Sequence, residues 1–338
     1  MKTFTIKTPG GESNILLGVP LSDFTKWVPE NTIIITDGNV AQLYSHYWES
    51  YPSIIIGTGE SNKTLATVEN VYQQLLDKGV DRSVFILGIG GGIVCDMAGF
   101  VAATYLRGLR HAFVPTTLLA QVDAAIGGKN GVNFHGYKNL IGTFRQPEFV
   151  LNDGHVLQTL PPDERSNGFA ETVKHALIAD ESLFNFIEEN TDKMLNLDLA
   201  VINRLVQGSI GIKTDLVNRD EHEKGERRKL NFGHTFGHAI EKVSGLSHGK
   251  AVAIGSVIAA RMSMERGYLK SYNYERIRNV FLKLNLPIHF TGNKADVLAA
   301  LLKDKKREQD FIYFVLLDDI GKAVIEKIAV GDLDKQLF

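Results

Sequence analysis

The sequence predicts an α/β N-terminal domain over residues 1–160 and a mostly α-helical C-terminal domain over residues 161–338. Short β-branched runs alternate with helical periods through the first part, which is the βαβ pattern of a parallel sheet. From Pro162 onward, long helical periods dominate. The stretch from Asn152-Asp153-Gly154 to Pro161-Pro162 is rich in breakers and marks the join, with an active site expected in the cleft between the domains.

The strands expected in the first domain are Thr32 to Thr36, Ser53 to Ile56, Val84 to Leu87, Ala112 to Val114 and Phe149 to Leu151. Between them, Leu65, Val68, Val71, Leu75 and Leu76 recur at helical spacing, so Thr64 to Lys78 is an amphipathic helix. In the second domain apolar spacing predicts helices over Glu164 to Ala179, Leu199 to Asn218, His234 to Val243, Lys250 to Arg266 and Tyr274 to Leu284. Phe311 to Leu316 and Ala323 to Glu326 flank Asp318-Asp319-Ile320-Gly321, which predicts a hairpin.

The 338 residues are 44% hydrophobic and 22% charged, an ordinary soluble balance. A net charge of -2 without a basic stripe predicts neither nucleic acid nor an anionic membrane as partner. The lone Cys95 cannot form an intramolecular disulfide, which suits a reducing compartment. No segment has the length of a signal-peptide core or membrane span, so the expectation is cytoplasmic.

Chemistry concentrates in a few motifs. Gly88-Ile89-Gly90-Gly91-Gly92-Ile93 follows a strand and opens a helix, where backbone amides can approach a pyrophosphate. Ile93 stands where the dinucleotide fingerprint needs its third glycine, so a tight structural turn explains the run equally well. Neither Gly128-Lys129 nor Gly59-Glu60-Ser61-Asn62-Lys63 completes a Walker loop, which argues against P-loop hydrolysis of ATP or GTP. Pro115 to Asn133 reads as a binding loop, and Lys138-Asn139 as a polar pair framed by glycines. Glu171 and Lys174 share a helical face, as do His234 and His238, with His248 a short distance on. Imidazoles so gathered suit a zinc-like ion, and spacing alone pairs His234 with His238.

The joint order of several strings resembles the 3-dehydroquinate synthase family among the sugar-phosphate cyclases. They are Gly90-Gly91-Gly92-Ile93-Val94 with Asp96, Thr104-Tyr105-Leu106-Arg107-Gly108, Pro115 to Asp123, Lys138-Asn139-Leu140-Ile141-Gly142, and Leu230-Asn231-Phe232-Gly233-His234. The likeness runs from Gly59 to beyond His248. It implies a Rossmann-like domain holding NAD, a helical domain holding one divalent metal (Zn2+ or Co2+), and a homodimer. The implied substrate is 3-deoxy-D-arabino-heptulosonate 7-phosphate, on the shikimate route to chorismate and the aromatic amino acids. The implied reaction is transient oxidation by NAD, β-elimination of phosphate, re-reduction, ring opening and intramolecular aldol closure.

By the same resemblance, the metal ligands are Glu171, His234 and His248, and His238 turns to the substrate to handle protons. The implied NAD residues are Asp37, Asn39, Glu60, Lys63, Gly91, Gly92, Asp96, Thr116, Thr117, Lys129, Lys138 and Thr159. The catalytic pocket would comprise Lys129, Lys174, Lys213, Arg227, Asn231 and His238, with Asp123, Asn139, Glu223 and Lys305 also meeting substrate. Arg107 would reach the phosphate in the partner's site. Cys95, Asn130 and Lys250 depart from the family pattern, where glycine, threonine and glutamate are usual. Three alternatives stand beside this reading: a sibling cyclase acting on another sugar phosphate, a metal-dependent polyol dehydrogenase, and an NAD-binding protein without catalysis. Asn231 and His238 weigh against the sibling, because these positions tend to change in such cyclases.

Overall fold

The computed structural model describes residues 1–302, 307–308 and 311–329, so Lys305 lies outside the described residues. The chain divides into two compact units: 1–160 with 213–222, and 161–212 with 223–338. The sequence pattern places all of 161–338 in one domain, whereas the end of one long helix and the turn after it count with the first unit. No amphipathic period can reveal that, because the helix is continuous.

The first unit is built on a seven-stranded sheet. Its strands are β1 (Lys2–Thr8), β2 (Gly11–Leu17), β3 (Thr32–Asp37), β4 (Ser53–Ile56), β5 (Phe85–Gly90), β6 (Arg110–Pro115) and β9 (Phe149–Asn152). They lie in the order β1-β2-β9-β6-β5-β3-β4, parallel except for the β1–β2 hairpin. β3 and β5 are almost wholly buried, as expected of central parallel strands. Helices α1 (Gly38–Tyr44), α2 (Leu65–Asp77) and α3 (Gly92–Thr104) follow β3, β4 and β5. The connection leaves β3 towards β4 on one side, then crosses to β5 on the other. That reversal is the switch point at which doubly wound sheets bind ligands beyond the strand ends.

The segment 129–144 corrects the loop reading of Lys129 and Lys138-Asn139. It is an antiparallel hairpin of β7 (Lys129–Phe134) and β8 (Tyr137–Phe144), turning through His135 and Gly136 at positive φ. Gly131 pairs with Gly142, and a Cβ on Gly131 would stand 2.7 Å from the Ile141 carbonyl oxygen, so the glycines are needed for strand contact. Asn130 donates to the carbonyls of Gly128 and Arg145, a structural use of this departure from the family pattern. Cys95 is fully buried in α3, and burial pushes its thiol well up, so it is unreactive packing.

The second unit contains α4 (Pro162–Ala179), α5 (Glu181–Leu195), most of α6 (Leu199–Arg219), α7 (His234–Ser244), α8 (His248–Glu265), α9 (Ser271–Lys283) and α10 (Lys294–Leu302). A small antiparallel sheet of β10 (Arg307–Glu308), β11 (Phe311–Asp319) and β12 (Lys322–Ala329) completes it. Phe236, Ile240, Ile254, Ile258, Met262, Phe314 and Leu316 form its core. Among the described residues no helix is long and apolar enough to cross a membrane.

Helices α7 and α8 approach each other closely, which brings together the imidazoles they carry. A Cβ on Gly255 would lie 2.0 Å from the Gly233 carbonyl oxygen and 2.7 Å from the Gly237 nitrogen. Both neighbours are backbone, so neither can swing aside. Gly255→Ala gains about 1 kcal/mol of helix propensity but forces the helices apart, at an overpacking cost of about 3 kcal/mol. The expected net loss of about 2 kcal/mol corresponds to roughly 4–8 °C in thermal melting for a unit of this size. A melting temperature at or above the parent's would refute the backbone-contact argument.

Candidate active site

Helix α4 supplies the central carboxylate. Glu171 is fully buried, and Lys174, one turn on and equally buried, forms an ion pair with its Oε2. The Oε1 faces two imidazoles: His234 Nε2 at 3.3 Å and His248 Nε2 at 3.1 Å. Burial alone would raise the Glu171 carboxyl, but Lys174 and the imidazoles outweigh it and hold the group well below the usual carboxylate range.

Local backbone features place each imidazole. Gly233 adopts φ 75, and a Cβ there would stand 2.3 Å from Ser256 Oγ, so this left-handed entry needs glycine. It starts α7 at His234, whose Nδ1 lies 3.1 Å from the Phe232 carbonyl oxygen. His248 starts α8. The next amide, Gly249 N, donates to Asn167 Oδ1 at 2.8 Å, and a Cβ on Gly249 would stand 2.4 Å from Asn167 Cα. Asn167 precedes Glu171 by one helical turn, so this clamp brings the α8 terminus to the carboxylate.

The protonation pattern fits a cation. Burial and Lys174 lower His234 against the pull of Glu171, leaving it neutral with its Nδ1 proton directed to the Phe232 carbonyl. The Nε2 lone pair then faces an ionised carboxylate at 3.3 Å, an opposition of acceptors that a divalent ion between them removes. Donor atoms of Glu171, His234 and His248 all lie within 4.8 Å of one another. His238, Glu241 and His248 form a second such group. Spacing alone pairs His234 with His238, whose rings are 5.1 Å apart, but the group containing His234 takes its third member from α4.

Among the described residues, the rest of this unit's sequence-predicted set lies near one turn. Glu223, at φ 58, accepts from Asn231 Nδ2. Arg227 is buried in the 3-10 turn Glu226–Asn231 between them. Lys250 departs from the family glutamate and pairs with Asp163 at 2.9 Å.

In the first unit, residues expected to hold a dinucleotide follow the ends of parallel strands. Asp37 ends β3 and caps α1 through Val40 N, Gly91 and Gly92 follow β5 and open α3, and Thr116 and Thr117 follow β6. A Cβ on Gly91 would meet Thr117 Cγ2 at 3.0 Å, and one on Gly92 would meet Ala124 Cβ at 3.1 Å, so side chains there would fill this approach. Buried Lys63 bridges Asp96 and Asn139, and burial raises the Asp96 carboxyl despite that ion pair. Glu60 accepts from Asn133 Nδ2, and Asn133 Oδ1 accepts from the Asn139 amide at 2.9 Å. Lys138 lies 3.9 Å from Glu60, and Thr159 shares a hydrogen bond with the Tyr44 hydroxyl at 2.7 Å. Lys213 donates to the Asp123 side chain at 2.6 Å. Asn39 and Lys129 are exposed. Arg107 is exposed beyond α3 at φ 66 and is not drawn into these clusters.

Sequence reasoning passes over Asn133, Asn167 and Glu241. Asn167 carries a usable signal, one helical turn before Glu171. Asn133 carries none, because its role depends on the hairpin register.

A sequence model described as the 3-dehydroquinate synthase N-terminal region matches residues 53–167, and the C-terminal one matches 168–307. The 3-dehydroquinate synthase of Thermoanaerobacter pseudethanolicus is 40% identical over 320 residues, 90% of this chain and 89% of that protein. That of Acetivibrio thermocellus is 41% identical over 318 residues, covering 90% and 88%. Among solved structures, a 2-deoxy-scyllo-inosose synthase complexed with carbaglucose-6-phosphate, NAD+ and Co2+ superposes with TM-score 0.85 at 25% identity, covering 99% of each chain. The 2-epi-5-epi-valiolone synthase of Streptomyces hygroscopicus, with NAD+ and Zn2+ bound, gives 0.84 at 28%, covering 96% and 95%. The chain belongs to the 3-dehydroquinate synthase family.

Proposed function

We propose that this chain converts 3-deoxy-D-arabino-heptulosonate 7-phosphate to 3-dehydroquinate and phosphate, with NAD and one divalent metal. The observation that carries the reading is the Glu171–His234–His248 group within a chain about 40% identical to curated synthases over nine-tenths of its length. Two sibling cyclases of solved structure are 25% and 28% identical to it. A probable glycerol dehydrogenase shares the fold at 14% identity, which carries no activity with it.

When bound, NAD supplies a hydride acceptor and donor, and the metal supplies Lewis acidity at substrate hydroxyls. Glu171, His234 and His248 hold the ion. Asp37, Asn39, Glu60, Lys63, Gly91, Gly92, Asp96, Thr116, Thr117, Lys129, Lys138 and Thr159 hold the dinucleotide. His238, half-buried on the same face of α7 as His234, moves a proton at a substrate hydroxyl. Lys129, Lys174, Lys213 and Arg227 meet the carboxylate and phosphate of a substrate whose negative charge the slightly acidic protein does not otherwise match. Asp123, Asn139, Glu223 and Asn231 orient hydroxyls, with Lys305 a further substrate contact. The protein is a homodimer, and Arg107 of each subunit reaches the phosphate in the other's site.

Three outcomes test this reading. Metal-loaded, NAD-supplied protein releases phosphate from the heptulosonate phosphate without accumulating NADH, and chelation abolishes release. NADH rising in proportion to turnover would instead identify a dehydrogenase.

His238→Asn lowers kcat by roughly 10²–10⁴ while metal content stays near one ion per chain. His234→Ala empties the site. Metal analysis of the two purified variants separates these roles, and the reverse pattern would restore the simple His-x-x-x-His pair.

Metal binding also depends on pH. Burial would lower the His248 imidazole, but Glu171 and Glu241 raise it to about 9, so below that pH its proton must be displaced by the ion. Since His234 is already neutral and Glu171 ionised, zinc affinity rises about tenfold per pH unit from pH ~7 to ~9 and then levels off. Chelator competition across that range reads the slope, and a flat profile contradicts a protonated His248.

A further inference from the structure

Each imidazole of the candidate metal group has an outer nitrogen whose partner decides which way the ring points. For His234 that partner is the Phe232 carbonyl. For His248 it is a carboxylate: Nδ1 lies 3.5 Å from Glu241 Oε2, and the Glu241 side chain is only 10% exposed. Glu241 is on α7, two helical turns after His234 and three residues after His238, so all three share the face that the α8 terminus approaches. Lys250, the basic residue two positions beyond His248, directs its ammonium to Asp163. A largely buried carboxylate against an imidazole nitrogen costs desolvation, which the ion pair offsets.

We infer that Glu241 is a positioning residue for His248. It accepts the Nδ1 proton and so presents the Nε2 lone pair towards Glu171 and the ion. The inference rests on the metal-site reading proposed for Glu171, His234 and His248. It adds that the two imidazoles are oriented unequally, one by a neutral carbonyl and the other by a charged acceptor that also raises its basicity. His248 is therefore the ligand whose donor strength a single side chain off the ion controls.

The test uses the full chain freed of metal, with Zn2+ and Co2+ as probes. Zinc affinity is measured by chelator competition for the parent, Glu241→Gln and Glu241→Ala, and the visible spectrum of the Co2+ form is recorded for each. Loss of the outer partner weakens zinc by about 10–100-fold in Glu241→Ala, and the Co2+ bands shift. Glu241→Gln keeps an acceptor oxygen and falls between that variant and the parent. The metal-free melting temperatures and NAD affinities of all three remain alike. Parental zinc affinity and an unchanged Co2+ spectrum in both variants overturn the inference. So does a weakening matched by equal loss of metal-free stability, which would make Glu241 merely structural. A parent that takes up neither ion fails at an earlier point, and the metal-site reading falls with it.

Discussion

The buried Glu171 carboxylate is the constraint on which the second unit depends. An ionised carboxylate without solvent is costly unless every oxygen is matched, and breaking such a cluster by removing one partner typically costs about 3–5 kcal/mol. Here Lys174 meets Oε2, while His234 and His248 converge on Oε1. The surrounding backbone makes that convergence obligatory. Gly233 enters α7 in a left-handed turn, the Asn167–Gly249 clamp sets the start of α8, and Gly255 lets the two helices touch backbone to backbone. Replacing any of these glycines with a larger residue disturbs the electrostatics without changing a charged group.

A comparable economy of contacts orders the first unit. The parallel strands deliver Asp37, Gly91 and Thr116 to one end of the sheet, as their common direction requires. Lys63 then joins Asp96 on α3 to Asn139 on the β7–β8 hairpin, and Asn133 ties that hairpin to Glu60. The residues proposed to touch nucleotide and those proposed to touch substrate are thus hydrogen-bonded to each other. Removing the Lys63 cation would leave Asp96 buried against a side chain that cannot neutralise it.

Those features also explain what is readable from the chain directly. β3, β4, β6 and β9 are continuous apolar runs between breakers, and α2, α6 and α7 show clear amphipathic spacing, so their existence and near-boundaries are legible. β8 is not, because most of Tyr137–Phe144 is exposed and no inward face imposes alternation. β1 does carry a strand signal, Phe4 and Ile6 alternating with polar residues, whereas Gly11–Leu17 of β2 lacks a regular alternation. At the site, the helical face shared by His234 and His238 is visible from spacing. The convergence of Glu171 is not, since it depends on how α4 packs against α7 and α8. Only the motif order links those distant positions without any geometry.

Two overlapping donor groups share His248, and their electrostatics differ in a way that supports the one proposed to hold the ion. In the group with His234, the carboxylate is fully buried, held ionised by Lys174, and faced by a neutral imidazole already oriented by a backbone carbonyl. In the group with His238 and Glu241, neither of those two is as fully buried as Glu171 and His234, so the site there is less desolvated. A divalent cation gains most where desolvation is already met by the fold and the lone pairs already point inward. That is consistent with the proposed ion site at Glu171, His234 and His248, with His238 proposed to work on substrate and Glu241 inferred to orient His248. On the proposed reading, the shared histidine is where metal affinity and the acidic outer shell are coupled.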